Sequence, residues 1–230
     1  MSESYQIHTI STSYLNELSN YNYLIVDKAT KLAALVDPSW ELDRILTVIE
    51  GLDVKLHAIL LTHSHFDHVN LVELLSVRYG PDVYISAKEA QYYAFSAPNL
   101  HTFNDLDTIS LGNTTITCML TPGHTAGSAC YRLSGCLITG DTLFIEGCGR
   151  CDTTGGNPDD MFDSLQKIRD TVPIYARVYP GHSYGKEPGY PLWYLLENNI
   201  YFHLVNRAQF ISFRMRHAQG YGSDARERRK

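Results

Sequence analysis

No run of about 18 or more apolar residues occurs in this 230-residue chain, so no membrane-spanning helix is expected. Basic charge is also short: 19 Lys and Arg face 25 Asp and Glu, leaving a formal net charge of −6. A general nucleic-acid binder would usually be basic, so neither nucleic acid nor a membrane is expected as a partner. The opening Met1-Ser2-Glu3-Ser4-Tyr5-Gln6 has neither the basic head nor the apolar core of a secretory signal. Cysteine is sparse and odd in number, with five, at positions 118, 130, 136, 148 and 151. Cys118, Cys130 and Cys136 sit in apolar strand-like runs, where a thiol behaves as a small hydrophobe. Cys148 and Cys151 have CxxC spacing but no second pair to complete a four-cysteine zinc site. Buried or incidental thiols are expected there, with a redox pair as the alternative. Without a disulfide framework, the reducing cytoplasm is the expected location.

What the chain does have is a dense cluster of metal-ligand side chains. Thr62-His63-Ser64-His65-Phe66-Asp67-His68 follows the apolar run Ala58-Ile59-Leu60-Leu61. In an extended segment His63 and His65 point the same way, because side chains alternate with period two. Asp67 and His68 fall where a helical pattern begins, so they can face a second point in the same cleft. Two metal ions close together are the natural reading. Further ligand types follow at Pro122-Gly123-His124, Thr139-Gly140-Asp141 and Pro180-Gly181-His182, each after an apolar strand-like run. A glycine before a ligand lets the backbone turn sharply and approach an ion. Five of the ten histidines fall in these motifs, which chance scatter would rarely produce.

The surrounding pattern supplies the frame. The first forty residues read as short strands, with Tyr23-Leu24-Ile25-Val26-Asp27 and Ala33-Ala34-Leu35-Val36-Asp37 forming a hairpin. A helix follows Pro38-Ser39, with Leu42, Ile45, Leu46 and Ile49 on one face. Beyond the histidine motif, Val69, Leu71, Val72, Leu74 and Leu75 continue as one helix to Gly80-Pro81. Strands are predicted at 83–85, 114–120, 129–133, 136–139 and 177–179, and helices at 87–93 and 159–171. Residues 186–217 read as terminal helices and 218–230 as a frayed, flexible tail. The tail cluster Arg226, Arg228, Arg229 and Lys230 reads as a solvated terminus, with an interaction patch as the alternative. The recurring order of strand, ligand loop and helix predicts an α/β domain whose sheets are covered by helices.

Imidazole and carboxylate ligands suit Zn²⁺, although iron or manganese accept the same set. A plausible division gives one ion His63, His65 and His124 and the other Asp67, His68 and His182, with Asp141 between them. Such a site lowers the pKa of water to about 7, making hydroxide available at neutral pH without a serine or cysteine nucleophile. Asp37, Asp53 and Asp152 lack this context, and capping or turns account for them. His57, His101, His203 and His217 read as structural or exposed.

These motifs resemble the HxHxDH pattern and later His, Asp and His positions of the metallo-β-lactamase superfamily, over about residues 5–185. The resemblance implies a four-layer αββα sandwich, an α/β (α+β) fold in one metallo-hydrolase domain over 1–217, with a dinuclear zinc site at one edge of its two sheets. Asp67 and Asp141 are its implied catalytic carboxylates. Thr139-Gly140-Asp141-Thr142-Leu143-Phe144, Gly147-Cys148-Gly149-Arg150 and Pro180-Gly181-His182-Ser183-Tyr184-Gly185 are similar to hydroxyacylglutathione hydrolase (glyoxalase II). That similarity implies hydrolysis of an acyl thioester, with Arg150 and Tyr184 contacting the thiol half of the substrate. Two departures stand out: only 48 residues follow His182, and Val69-Asn70 replaces a glycine-containing sequence. In size, and in Asn199-Ile200-Tyr201-Phe202 and Phe210-Ile211-Ser212-Phe213-Arg214-Met215-Arg216, the chain looks closer to zinc-dependent hydrolases of trans-acyltransferase polyketide synthases. An acyl group on an acyl carrier protein, or a small acyl thioester, is then the implied substrate. The run Gly147-Cys148-Gly149-Arg150-Cys151-Asp152 also resembles persulfide dioxygenases, which would use His63, His124 and Asp141 around one iron. A lactonase or a β-lactamase would turn the same site on another carbonyl.

Overall fold

The computed structural model describes residues 3–14 and 18–216. His217 and the tail 218–230, with Arg226, Arg228, Arg229 and Lys230, lie outside the described residues. The first sheet opens with β1 (Tyr5–Tyr14) antiparallel to β2 (Leu18–Asp27), which pairs antiparallel with β3 (Leu32–Val36). These strands are longer than the short ones expected, because the two ten-residue strands pair along their full lengths. After α1 (Leu42–Gly51), β4 (Lys55–Leu60) joins β3 in parallel. Two short helices, α2 (Phe66–Val69) and α3 (Val72–Tyr79), lead to β5 (Asp82–Ser86). Then α4 (Ala87–Tyr93) leads to β6 (Leu100–Phe103), both strands again parallel to their neighbours.

The second sheet begins with the antiparallel strands β7 (Thr108–Leu111), β8 (Thr114–Leu120), β9 (Ala129–Leu133) and β10 (Cys136–Gly140). A small ribbon of β11 (Leu143–Phe144) and β12 (Gly147–Cys148) follows, then α5 (Pro158–Thr171). Strand β13 (Arg177–Pro180) returns parallel to β10, with β14 (Tyr190–Pro191) on its far side. Three terminal helices, α6 (Leu192–Asn198), α7 (Ile200–His203) and α8 (Arg207–Arg214), follow.

The sheets stack face to face. Tyr23, Ile25, Val36 and Leu60 from the first meet Ile116, Cys118, Tyr131 and Ile138 from the second. The alternate residues Leu24, Leu35 and Ile59 point outward onto Ile45, Ile49 and Leu75 of the covering helices. On the opposite flank Cys130, Leu137 and Val178 pack with Met161, Leu165, Leu192 and Phe210. The order is therefore helix, sheet, sheet, helix, the four-layer αββα sandwich. Strands buried on both faces need apolar residues at every position, which is why Ala58-Ile59-Leu60-Leu61 shows no alternation. No described helix is long and apolar enough to cross a membrane.

One expected element is divided. The helix predicted from Val69 to Gly80 breaks at Asn70 and Leu71. The Asn70 side chain accepts the Trp40 N–H at 2.9 Å and the Leu71 N–H donates to Pro38 O at 3.3 Å, tying this bend to the β3–α1 loop. The break frees α2 to carry Asp67 and His68 independently of α3.

Candidate metal centre

All the predicted ligand loops emerge at one edge of the sandwich. His63 and His65 follow β4, Asp67 and His68 ride on α2, His124 lies between β8 and β9, Asp141 follows β10 and His182 follows β13. Cross-links hold that edge together. Ala129 N–H donates to Thr62 O at 2.9 Å, Gly181 N–H to Gly140 O at 2.9 Å and Tyr21 N–H to Gly181 O at 2.8 Å. Two glycines are needed here. Gly140 has φ +47°, and a Cβ would collide with Thr62 Oγ1. A Cβ on Gly181 would stand 2.5 Å from Asp141 Oδ1 and 2.8 Å from His68 Cε1.

Six of the seven side chains form two trios, His63–His65–His124 and Asp67–His68–His182, each with one donor atom per residue within 4.8 Å of the others. His124 Nε2 and His65 Nδ1 are 3.0 Å apart, and His68 Nε2 and His182 Nε2 are 3.2 Å apart. A tetrahedral ion with bonds of about 2.0–2.1 Å holds its donors roughly 3.3 Å apart, so these spacings suit one cation per trio. Asp141 sits between the trios: Oδ2 lies 3.6 Å from His124 Nε2 and 3.4 Å from His182 Nε2, and Oδ1 lies 3.5 Å from His68 Nε2. Asp67 Oδ2 is 3.3 Å from His182 Nε2.

The hydrogen bonds behind the rings assign the tautomers. His68 Nδ1 faces Asp37 Oδ2 at 3.0 Å, His124 Nδ1 faces Arg150 O at 2.8 Å and His182 Nδ1 faces Ser19 O at 2.8 Å. His63 Nδ1 lies 3.0 Å from Thr62 Oγ1, whose own proton goes to Asp37 Oδ2 at 2.6 Å. Each outer nitrogen therefore keeps its proton, and the inner one presents a lone pair. His63 Nε2 and Asp141 Oδ1 are buried with no hydrogen-bond partner. Leaving such groups unpaired costs about 1–3 kcal/mol each. The residues fit a cation.

Charge agrees with this. Burial, reinforced by His68 and His124, drives His63 well below the ordinary imidazole value, and burial with His124 takes His65 down to about 4. Burial also opposes charge on His182, but Asp141 and Asp67 outweigh it and lift this imidazole to about 11. Burial alone would raise Asp67, yet His182 and His68 hold it at about 2. Without metal, the carboxylates draw protons onto imidazoles; a divalent cation would replace those protons.

Two carboxylates behind the centre escape a sequence reading. Asp37, assigned above to capping or a turn, is instead 2% exposed and holds His68 and Thr62 from behind. Asp37 also groups with His63 and His68 within 4.8 Å, but three hydrogen bonds occupy its oxygens and suit it to support those residues from behind. Glu89 on α4 is fully buried. Its Oε1 accepts the Ser64 N–H and hydroxyl at 2.9 and 2.8 Å, and its Oε2 accepts the Thr125 hydroxyl and Gly127 N–H at 2.8 and 2.9 Å. It thus staples the His63–His65 segment to the His124 loop. Neither stands in a motif, so spacing alone gives no signal. Of the remaining histidines, His101 is exposed and pairs with Asp82, and His203 Nε2 donates to Glu197 O at 3.0 Å.

A cleft of about 300 Å³ opens beside the centre and is lined by His124, Asp141 and His182 together with Arg150, Tyr184 and Arg214. Arg150 is paired with Asp152 at 2.9 Å, and Tyr184 packs on Phe144 with ring centroids 4.6 Å apart. Both therefore have structural partners and also face the cleft. Arg214, from the last helix, donates to Tyr201 Oη at 2.7 Å. Cys148 also lines this cleft, and all five cysteines are buried and free. Burial pushes the thiols of Cys148 and Cys151 far up, the latter to about 12, which suits inert packing and not redox exchange.

The sequence profile of the metallo-β-lactamase superfamily matches residues 15–182, and the chain belongs to that superfamily. It is 48% identical over 219 residues to "Probable polyketide biosynthesis zinc-dependent hydrolase PksB" of Bacillus subtilis (strain 168), covering 95% of this chain and 97% of that protein. BaeB of Bacillus velezensis, with the same description, is 49% identical over the same shares. The crystal structure of ETHE1 from Myxococcus xanthus matches with a TM-score of 0.80 at 32% identity, over 90% of this chain and 89% of that one.

Proposed function

We propose that this chain is a zinc-dependent hydrolase that cleaves an acyl thioester in polyketide biosynthesis, with the acyl group carried on an acyl carrier protein or on a small thiol. The observation that carries this reading is the convergence of two donor trios on one shared carboxylate, Asp141, beside a cleft. His63, His65 and His124 would hold one zinc ion, and Asp67, His68 and His182 a second, with Asp141 contributing to both. Zinc held there lowers the pKa of water to about 7 and draws electron density from a carbonyl oxygen.

The protein's own groups supply the rest. Asp67 and Asp141 accept hydrogen bonds from the attacking water and fix its direction toward the carbonyl carbon. The water gives up one proton to solvent and attacks as hydroxide. As the new C–O bond forms and the C–S bond breaks, the acid is released and the sulfur leaves as a thiolate that takes up a proton from solvent. Arg150 and Tyr184 line the cleft and would contact the thiol arm. Free cysteines persist in a reducing cytoplasm, where we place the enzyme.

An iron oxygenase would need only His63, His124 and Asp141. Asp67, His68 and His182 would then stand idle, whereas the 48% identity to a probable zinc-dependent hydrolase over 95% of the chain favours the hydrolase reading. Assays of acyl thioesters, a lactone and a cephalosporin side by side test it. Thioesters should turn over fastest, with one free thiol released per acid formed. Preferred turnover of the lactone or cephalosporin, or oxygen uptake with a persulfide, would contradict it.

A further inference from the structure

Phe66 stands between the ligands His65 and Asp67, yet its ring is 71% exposed. It meets Trp40 edge-on at 5.9 Å, and Trp40 in turn lies against Tyr14 at 4.7 Å. Tyr14 is itself half exposed. These rings form a continuous aromatic ledge from the end of β1 to the histidine motif. Trp40 adopts φ +65°, a backbone conformation that bulky residues rarely take. Two asparagines hold it there: its N–H donates to Asn70 Oδ1 at 2.9 Å, and its indole N–H donates to Asn20 Oδ1 at 2.7 Å. The same Asn20 donates to Asp67 O at 2.8 Å, so one side chain registers the indole against a candidate ligand. Beyond Phe66 a groove of about 550 Å³ continues, its wall formed mainly by Val69, Val72, Phe95 and Pro98, with the polar Asn70, Glu73 and Ser96 also lining it.

The geometry points to an acyl-binding platform: Tyr14, Trp40 and Phe66 receive an extended apolar acyl chain whose carbonyl lies at the metal centre and whose far end enters the groove past Phe66. The polar cleft lined by Arg150, Tyr184 and Arg214 leaves this aromatic side free for the acyl group. The inference rests on the thioesterase reading for the chemistry of the substrate, while the platform itself can be tested without turnover.

The probes are non-hydrolysable S-methyl, S-hexyl and S-decyl thioethers of pantetheine, added to the zinc-loaded protein. The chain has two tryptophans, so Trp193→Phe leaves the emission of Trp40 alone to report binding. Affinity should rise with chain length, by up to about 4-fold per buried methylene, with a change in Trp40 emission. Phe66→Ala should shrink the decyl-to-methyl affinity ratio by about 10-fold or more. Tyr14→Ser should do so less, and it serves as the second variant should the first misfold. Equal affinity for all three probes, or an equal loss for all three in both variants, overturns the platform. Chain-dependent binding without hydrolysis of any thioester leaves the platform standing and removes the proposed reaction.

Discussion

Asp37 Oδ2 and His68 Nδ1 are 3.0 Å apart, with both side chains buried behind the metal centre. The carboxylate fixes the tautomer that turns His68 Nε2 toward His182. Such outer partners of metal-bound histidines are typically worth 10–100-fold in metal affinity. Asp37→Asn should weaken zinc binding by about that factor, read by competition with a chromophoric chelator. Unchanged affinity would show that Asp37 serves only to hold Thr62.

Glu89 should act on one trio more than the other. Its four acceptor bonds hold Ser64, Thr125 and Gly127, which flank His63, His65 and His124. In Glu89→Gln an amide NH₂ must face donors that the carboxylate satisfied, at a cost of about 1–3 kcal/mol. Titration of the metal-free variant with cobalt should show one binding step weakened about 10-fold or more and the other little changed. Equal weakening of both steps would make Glu89 a general element of stability.

Asp141→Asn keeps the shape of the residue but removes the charge shared between the trios. Hydrolysis should fall by at least about 100-fold with the fold intact by circular dichroism. Full activity in that variant would remove Asp141 from its central role.

The His and Asp cluster was legible because side chains of metal-ligand type crowd residues 63–68 and recur beside glycines at strand ends, a pattern packing rarely produces. The sheets were legible where strands are buried on both faces, as at residues 58–61 and 136–139. Strands β6 and β7 were not, because Leu100–Phe103 and Thr108–Leu111 are four residues each with exposed polar positions. The break at Asn70 depends on a side chain that meets Trp40 from a distant loop, so local periodicity carries no trace of it. Asp37 and Glu89 are lone carboxylates whose partners lie 25 or more residues away. Their role exists only once the sandwich brings the loops together.

Zinc binding should strengthen with pH. In the metal-free protein Asp141 and Asp67 overcome burial and keep His182 protonated up to about 11. Zinc must displace that proton, so affinity should rise about tenfold per pH unit for each proton released between about pH 6 and 8. The metal-free fold carries its own pH signature. The raised His182 contributes stability that is full below 6.5 and lost as pH climbs through about 11. Asp67, lowered to about 2, contributes stability present above 3.8 and lost as pH falls through about 2. His65, lowered to about 4, works against the fold as pH drops from 6.5 toward 4. Chemical denaturation of metal-free protein across this range checks these signs, and zinc affinity independent of pH would contradict the proton exchange.

The most direct measurement is a zinc titration of metal-free protein while thiol release from an acyl thioester is followed. Two paired trios predict that hydrolysis rises until two zinc ions are bound per chain and then levels off. Full hydrolysis at a single zinc ion, or thiol release that never depends on metal, would contradict the account.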